Sequence, residues 1–385
     1  FESGEGFRNA LNGIYMAMSS PELYGRELSW GLASVLSQTY DNNDISSSKA
    51  YGSAIKYDYG ETEIKGVLES VWSKGYNVIA NCNKLITEAE AKDSTAFREG
   101  AIERNLIIGE AKALRALMHF DLLRLFAPSV ATGDESKRIP YFTTYPSKYE
   151  PNLSTKEVLH KVEQDLLEAS HLVADHDTIV NKITMGNPED RMGGANQATG
   201  GSFFGQRGIR MNFVAINALL ARAYLYDNDL DNAGKYAKYV IDNFSTRKNW
   251  FYFTDYYDYT YVEDNEKFIK LYEDIFLAFY DRKLLDNIAD FKMSNYGQLM
   301  TLKNSNSLFE QDEDDYRTYL ITSDGKGGQT SLKWLNLKST VQSVMIQNKL
   351  IPVIRLSEMY YILSEASAQT DLPKALDYLA EVRNQ

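Results

Sequence analysis

The chain has 385 residues, a net charge of −12 and a single cysteine. Because no basic stripe offsets the negative charge, the composition argues against a nucleic-acid partner or an anionic membrane surface. One cysteine excludes an intrachain disulfide, and the longest apolar runs are too short to span a bilayer.

Four helices are predicted in the first half of the chain, where apolar residues recur three and four positions apart. The first three are expected over 7–18, 64–91 and 96–126. Pro128 would end the third helix, because proline lacks the amide hydrogen that a helix needs. Ser154 begins the fourth helix as its N-cap, and Glu157, three residues later, would complete a capping box.

The third predicted helix carries charged and titratable residues inside an apolar sequence, GEAKALRALMHFDLLRLFAP (109–128). These residues are Glu110, Arg115, His119, Asp121 and Arg124. A proton-transfer role would need such groups to line a cleft. Because they alternate with packing residues, we expect them to pair with neighbouring helices instead.

Two later segments, 219–241 and 361–383, resemble each other as degenerate repeats. Asp229 aligns with Asp371, and both segments read as a helix, a short polar turn and a second helix. Small alanines in the second helix would let the two helices approach closely. The pattern is typical of tetratricopeptide repeats and predicts a mainly α fold.

Two regions, 176–210 and 246–345, lack helical periodicity and are expected to be irregular and strand-poor. Short runs at 275–280 (IFLAFY) and 332–338 (LKWLNLK) read as strands. Loops of such length are uncommon in compact domains unless they are functional or disordered, so the site is sought there first. The predicted helical framework of this single domain is 1–175, 211–245 and 346–385.

No motif indicates a metal, a cofactor or catalysis. His171 and His176 lack the spacing of a helical metal pair. In DNDLDNAG (227–234), Asn232 stands where a calcium loop has glycine, and Lys238 stands at the position of its closing glutamate. Acidic residues are plentiful, but no pattern selects the carboxylate pair of a glycosidase.

The aromatic clusters are more informative. The chain has 27 tyrosines, many of them in 49–60, 249–264 and 289–298. A tyrosine ring can stack on the C–H face of a sugar while Asn and Asp bind its hydroxyl groups. The alternative for each ring is that it packs an irregular region onto the helices.

Several segments, in chain order, resemble one family pattern. WSKGYNVIANCNKLI (72–86), the 109–128 helix and IPVIRLSEMYYILSEA (351–366) are similar to its typical helices. EDIFLAFYD (273–281) and DEDDYRTYLIT (312–322) are similar to its central strand and its Asp-x-Arg segment. As a set, these motifs resemble the SusD/RagB family of glycan-binding outer-membrane lipoproteins. The family pattern continues past the last matched helix, so we expect this chain to lack the family's C-terminal part and its lipid-bearing N-terminal cysteine.

The resemblance implies tetratricopeptide-like helical hairpins that support an irregular ligand-side region. It also implies a non-catalytic protein at the cell surface, held to the outer membrane by a lipid. Such a protein would deliver an oligosaccharide to a SusC-like TonB-dependent transporter.

The family's ligand-binding residues tend to come from the loops before the helix of Trp72 and from the central irregular region. By position alone, the candidates are Tyr40, Asp41, Asn43, Tyr57, Tyr59, Tyr280, Asn295 and Tyr296. Two other functions remain open, a peptide-binding scaffold that uses the concave helical surface and, as a weaker alternative, a helical glycoside hydrolase.

Overall fold

Helices make up most of the chain. The computed structural model describes residues 4–194, 198, 200–246, 249–263, 266–294, 300–309, 315–325, 327–334 and 339–384. The α-helices are α1 (Gly4–Met18), α2 (Leu32–Leu36), α3 (Asn42–Ile45), α4 (Lys49–Ala54), α5 (Thr62–Glu90), α6 (Gly100–Phe126), α7 (Thr155–Asp175), α8 (Lys182–Gly186), α9 (Phe213–Tyr226), α10 (Leu230–Phe244), α11 (Tyr257–Thr260), α12 (Leu284–Ser294), α13 (Gln342–Ile346), α14 (Leu356–Ser367) and α15 (Leu372–Arg383). The strands are β1 (Ile275–Tyr280), β2 (Ile321–Ser323), β3 (Gln329–Ser331) and β4 (Leu350–Arg355).

The long helices form a consecutive stack. Helix α5 packs on α6, α6 on α7, α7 on α9, α9 on α10, α10 on α14 and α14 on α15. Helix α1 packs against α5 and α6 at the start of the stack. This arrangement confirms the predicted mainly α fold of tetratricopeptide-like hairpins.

The repeat predicted from the two similar segments is confirmed in its details. Asp229 and Asp371 are the N-caps of α10 and α15, and each accepts a hydrogen bond from a backbone N–H three residues later. Ala233 and Ala375 are buried, as expected where a small residue faces the preceding helix. The run DNDLDNAG therefore forms the turn of a hairpin.

Helix α6 lies at the centre of the framework. Residues on all of its sides are buried from Leu106 to Leu123, because α1, α5, α7 and α9 surround it. At Gly109 the approach of α7 is very close, since a Cβ placed there would lie 2.7 Å from Val173 Cγ1. The helix begins at Gly100, later than the predicted start at residue 96, because Asp93 caps a separate short 3₁₀ turn over Ser94–Ala96.

Most charged residues of α6 pair with neighbouring elements, as expected, whereas Arg124 forms its ion pair within the same helix. Arg115 donates two hydrogen bonds to Asp165 on α7, at 2.6 and 2.8 Å. Asp121 accepts a hydrogen bond of 2.6 Å from Tyr24 Oη and forms an ion pair with Arg124. These contacts fix how α6 docks and leave its charges satisfied in the core.

His119 is also structural. Its ring is fully buried and stacks on Tyr141 at 3.8 Å between centroids. The N–H of Phe142 donates to His119 Nε2 at 3.1 Å, and Nδ1 lies 3.0 Å from the carbonyl oxygen of Arg115. Burial, together with the charge of Arg115, lowers the pKa of His119 to about 3. A neutral ring with both nitrogens engaged cannot serve as a general base.

Two short antiparallel ribbons break the helical pattern. Strand β1 matches the predicted 275–280 exactly and pairs with β4, so that Tyr280 lies opposite Leu350. The second prediction, a strand over 332–338, is wrong for its first part, because Leu332–Trp334 forms a 3₁₀ turn. Ser331 Oγ accepts a hydrogen bond from the N–H of Lys333, and this local contact turns the chain after β3. Residues 335–338 lie outside the described part of the chain.

Candidate functional site

A cavity of about 970 Å³ opens where the end of α1, the irregular segment before α9, the end of β1 and the α13 region meet. Its volume is that of a site for a ligand larger than a single metal ion or monosaccharide. The described lining residues are Asn12, Tyr15, Met16, Ser19, Ser20, Pro21, Met192, Gly193, Gln206, Ile209, Arg210, Tyr280, Asp281, Arg282, Lys283, Asn287, Gln342, Met345, Ile346 and Lys349.

The end of the β1–β4 ribbon forms one side of this cavity. Tyr280 ends β1, and the N–H of Asp281 donates to the carbonyl oxygen of Lys349 at 2.8 Å. The side chain of Lys349 lies over the Tyr280 ring, with its Nζ 5.8 Å from the ring centroid. The chain then enters α12, whose Asn287 also lines the cavity. A ring, an ammonium group and an amide are thus brought together by one strand pair.

The opposite side is formed by Tyr15 and Arg210. Tyr15 Oη donates to Glu110 Oε2 at 2.5 Å and accepts a hydrogen bond from the N–H of Met211. Burial and the neighbouring Glu110 carboxylate raise the pKa of Tyr15 well above its usual value. The Arg210 guanidinium lies 4.9 Å from the Tyr15 ring centroid and donates to Glu110 through Nε. Both side chains are therefore held in place before any ligand arrives.

A buried charge network attaches this irregular segment to the framework. Arg207, which is fully buried, forms ion pairs with Glu110 on α6 and with Asp177. Burial alone would raise the pKa of Asp177, but the charge of Arg207 and the hydrogen bond with His176 hold it below its usual range. Asp177 also accepts a hydrogen bond of 2.7 Å from the N–H of Phe213 at the start of α9. The network fixes the backbone that leads to Arg210.

The lining of the cavity combines side-chain amides with apolar side chains. Side-chain amides that can exchange hydrogen bonds with hydroxyl groups come from four elements: Asn12, Gln206, Asn287 and Gln342. Apolar surface comes from Met16, Pro21, Met192, Ile209, Met345 and Ile346. An apolar floor with a few converging polar groups is the general composition of a small-molecule site.

Of the predicted site residues in the described part of the chain, only Tyr280 lines this cavity. Tyr57 and Tyr59 are surface residues, 55% and 43% exposed, and Tyr57 Oη donates to the carbonyl oxygen of Leu36. Asn43 is exposed on α3, where Asp41 is the N-cap and accepts a hydrogen bond from the N–H of Asn43. These four residues all belong to the segment 40–60, and none of them lines the cavity.

The prediction for Tyr40 needs correction. Its ring is only 4% exposed, and its Oη donates to the carbonyl oxygen of Trp30 at 2.8 Å. Its backbone forms an isolated bridge to Leu302, so the residue holds two segments together inside the core. Asn295 and Tyr296, the last two predicted residues, lie outside the described part of the chain.

Sequence reasoning missed Tyr15, Arg210 and Lys349. Tyr15 was assigned to the opening helix, and the other two lie in segments without a recognisable motif. Sequence reasoning also missed Asp281, Arg282 and Lys283, for which a signal was present, because these polar residues directly follow a buried strand. Residues at the end of a strand often face a ligand, because there the chain leaves the core.

The aromatic run at 249–264 divides into two parts. Phe251 is fully buried and packs edge-on against Phe276 of β1, which is the packing alternative. The Tyr256 ring stacks on Tyr316 with centroids 4.3 Å apart. Tyr257 nearby is more than half exposed. The run therefore contributes both to the core and to a tyrosine-rich surface away from the cavity.

Family models match nearly the whole chain. A model described as "SusD-like_3: Starch-binding associating with outer membrane" matches residues 8–185, and a model described as "SusD family" matches residues 181–385. The second match alone covers more than half of the chain. The chain belongs to the SusD/RagB family.

Solved structures agree with this assignment. A SusD-like carbohydrate-binding protein from Bacteroides vulgatus is 18% identical, with a TM-score of 0.66 over 100% of this chain and 75% of its own. A putative sugar-binding protein from the same species is 21% identical, with a TM-score of 0.68 over 98% of this chain and 77% of its own. A laminarin-binding SusD-like protein is 17% identical, with a TM-score of 0.62 over 100% of this chain and 84% of its own.

At these identities the likeness of the structures shows a shared fold. No curated protein matches the chain in sequence. In the described residues of this SusD family member, no helix is long and apolar enough to cross a membrane. Those residues also contain no group of three or more His, Cys, Asp or Glu side chains that could hold a metal ion.

Proposed function

We propose that this protein binds an oligosaccharide in the 970 Å³ cavity and passes it to a SusC-like TonB-dependent transporter. The observation that carries the proposal is the cavity lining, where Tyr280 and Tyr15 are combined with side-chain amides from four elements. Aromatic rings bind the C–H faces of sugars, and amides bind their hydroxyl groups. The family description of starch binding at the outer membrane supports the same ligand class.

The site would act by binding alone. The charged residues of α6 are engaged in the core, and His119 is neutral with both ring nitrogens occupied. We therefore propose that a bound glycan is released unchanged. Chromatography of the glycan after prolonged incubation checks this, and new shorter products would support the glycoside-hydrolase alternative.

Binding is tested by isothermal titration calorimetry against laminarin, starch oligosaccharides and a panel of plant, host and microbial glycans. Replacing the flat ring in Tyr280→Leu should weaken binding about tenfold while keeping the apolar volume. The matched control is Tyr149→Leu, because Tyr149 is 90% exposed and does not line the cavity. Equal losses in both variants, or none in Tyr280→Leu, would contradict the assignment of the cavity.

The segment 40–60 is proposed as a second contact for longer saccharides. Tyr57 and Tyr59 present exposed rings there, with Asp41 and Asn43 on the same segment. A Tyr57→Ala change should then affect the affinity for polymers and leave that for short oligosaccharides unchanged. If a peptide ligand were bound by the helical surface instead, neither Tyr57 nor Tyr280 would matter.

To deliver a glycan to such a transporter, the protein would lie at the cell surface, held to the outer membrane by a lipid anchor. The partner is tested by purifying the tagged protein from its native outer membrane and identifying the proteins that co-purify with it, a TonB-dependent transporter being the expected one. Recovery of that transporter from solubilised outer membranes, in the absence of other membrane proteins, is the expected result.

A further inference from the structure

Three exposed cations stand around the cavity: Arg282, Lys283 and Lys349. Within the part of the chain that the structure describes, none of them forms an ion pair. Several arginines between elements of the framework do have a carboxylate partner, as Arg222 has with Glu358 at 2.5 Å. A group of exposed cations that outnumbers the acidic side chains of the same cavity provides a local site for a negative charge.

The one acidic side chain among the described lining residues is already engaged. Asp281 Oδ1 accepts a hydrogen bond of 2.8 Å from the N–H of Lys283, and Oδ2 accepts one of 3.1 Å from Asn287 Nδ2. Its carboxylate is thus used to shape the turn between β1 and α12. Asp281 also interacts electrostatically with Lys283, although the two side chains form no ion pair in the described residues, so it offsets at most one of the three cations.

Arg210 adds a positive group deeper in the cavity. Its Nε donates to Glu110, and its Nη1 donates to Asn12 Oδ1 at 3.0 Å. Its Nη2 has no hydrogen-bond acceptor among the described residues. Arg207 and Arg210 share the carboxylates of Glu110 and Asp177, so the contribution of Arg210 to anion binding is the free N–H group of its Nη2.

The positive charge at the cavity is opposite in sign to the net charge of the whole molecule. The chain carries a net charge of −12, which repels anions at long range. At physiological ionic strength the screening length is about 8 Å, so a bound anion responds mainly to its immediate neighbours. A concentration of positive charge in an acidic protein therefore selects for an anionic group within the cavity.

We infer that the cavity recognises an acidic oligosaccharide, one that carries uronate carboxylates or sulfate esters. This inference rests on the proposed glycan-binding function and names the class of glycan. A sugar ring stacked on Tyr280 would bring its anionic group toward Lys349, whose Nζ lies 5.8 Å from the centroid of that ring. Arg282 and Lys283 on the adjacent turn extend the positive surface, so that a second anionic sugar unit of the oligosaccharide could bind there.

The test compares matched pairs of glycans by isothermal titration calorimetry. One pair is oligogalacturonate and its fully methyl-esterified form, and the other is a chondroitin sulfate oligosaccharide and its desulfated form. We expect the acidic glycan of at least one pair to bind about tenfold tighter than its methyl-esterified or desulfated form. This preference should decrease as the salt concentration rises. The pair that shows the preference distinguishes carboxylate from sulfate.

Two variants with the same change in charge show whether the preference comes from the cavity cations or from the overall charge of the protein. Arg282→Gln/Lys283→Gln/Lys349→Gln should abolish the preference for the acidic glycan and keep residual binding of the neutral one. The control is Lys65→Gln/Lys148→Gln/Lys182→Gln, which removes three exposed cations that do not line the cavity. This control should retain the preference, and both proteins should show the helical circular dichroism of the parent.

Each other outcome has a definite meaning. Equal affinity for the members of both pairs, or a preference for the neutral members, would overturn the inference and leave glycan binding intact. Loss of the preference in both variants would overturn it as well, because the effect would then come from the overall charge. If free sulfate or acetate competed as well as the oligosaccharide, the site would be one for anions only. Absence of binding to every carbohydrate would remove the proposed function itself.

Discussion

Arg115 on helix α6 and Lys349 at the cavity carry the same charge in opposite surroundings. Arg115 is buried, and its guanidinium is held by Asp165 through two hydrogen bonds. Lys349 is exposed and has no ion pair within the described residues. In the framework each charge is a fixed part of the packing, whereas at the cavity the charge remains available. The comparison shows that paired charges stabilise the framework, and it is consistent with the proposal that unpaired charges at the cavity serve recognition.

The largest effect is expected from breaking a charge pair of the framework. Arg115→Met should lower the free energy of unfolding by about 3–5 kcal/mol, because it leaves Asp165 buried without its cation. Urea denaturation followed by circular dichroism measures the change. A loss below about 1 kcal/mol would show that Asp165 is solvated despite its burial, and the contrast with the cavity would weaken.

Close helix packing gives the next effect. Gly109→Ala should destabilise the protein by about 1–3 kcal/mol, because the new Cβ would lie 2.7 Å from Val173 Cγ1 and 3.0 Å from Leu172 Cβ. Gly66→Ala on the exposed side of α5 is the matched control, since no atom lies within 4 Å of its added Cβ. This second variant should gain up to about 1 kcal/mol from helix propensity. Equal effects at the two positions would refute the close contact between α6 and α7.

Glu163 is an exception within the framework, because its Oε1 has no hydrogen-bond partner among the described residues. Burial and the nearby carboxylates of Asp227 and Asp229 raise its pKa to about 7. Its unfolded pKa is about 4.3, so the unfolded chain releases this proton first as pH rises. The stabilisation from the protonated group is therefore complete below about pH 4 and is lost by about pH 7.

The neutral variant Glu163→Gln should remove this pH dependence. We expect it to be more stable than the parent by about 1 kcal/mol at pH 8, a value reduced for the partial solvation of the site, and equal to it at pH 4. Thermal unfolding across this pH range measures the difference. Glu69→Gln, on the exposed side of α5, should follow the parent at every pH.

The smallest effect is expected at the cavity. Lys349→Met should change the free energy of unfolding by less than about 0.5 kcal/mol, since an exposed cation without a partner contributes little to folding. Chemical denaturation under the conditions used for Arg115→Met measures it. A loss as large as that of Arg115→Met would mean that Lys349 belongs to the framework.

Much of the helical framework could be predicted from the sequence. The apolar period located α1, α5, α6 and α7 to within a few residues, and the capping box of Ser154 and Glu157 is present. The similar segments around Asp229 and Asp371 gave the hairpins. These features are local, because helix periodicity, caps and turns depend on residues only a few positions apart.

The cavity could be predicted only in part. Tyr280 and Tyr40 were both chosen by position in the family pattern. Tyr280 lines the cavity, whereas Tyr40 is buried, because an exposed and a buried tyrosine look alike in sequence. Tyr15, Arg210 and Lys349 are separated by more than a hundred residues from one another along the chain. Nothing local marks them as neighbours.

The sequence by itself determined which residues form helices, and the similarity of its motifs determined the family. Only the tertiary structure decided which charges are neutralised and which remain available. The reason is physical: whether a cation finds a carboxylate depends on the pairing of β1 with β4 and on the docking of Arg207 onto Glu110. Both contacts join residues distant in the chain, so their outcome is fixed by packing and not by any short pattern.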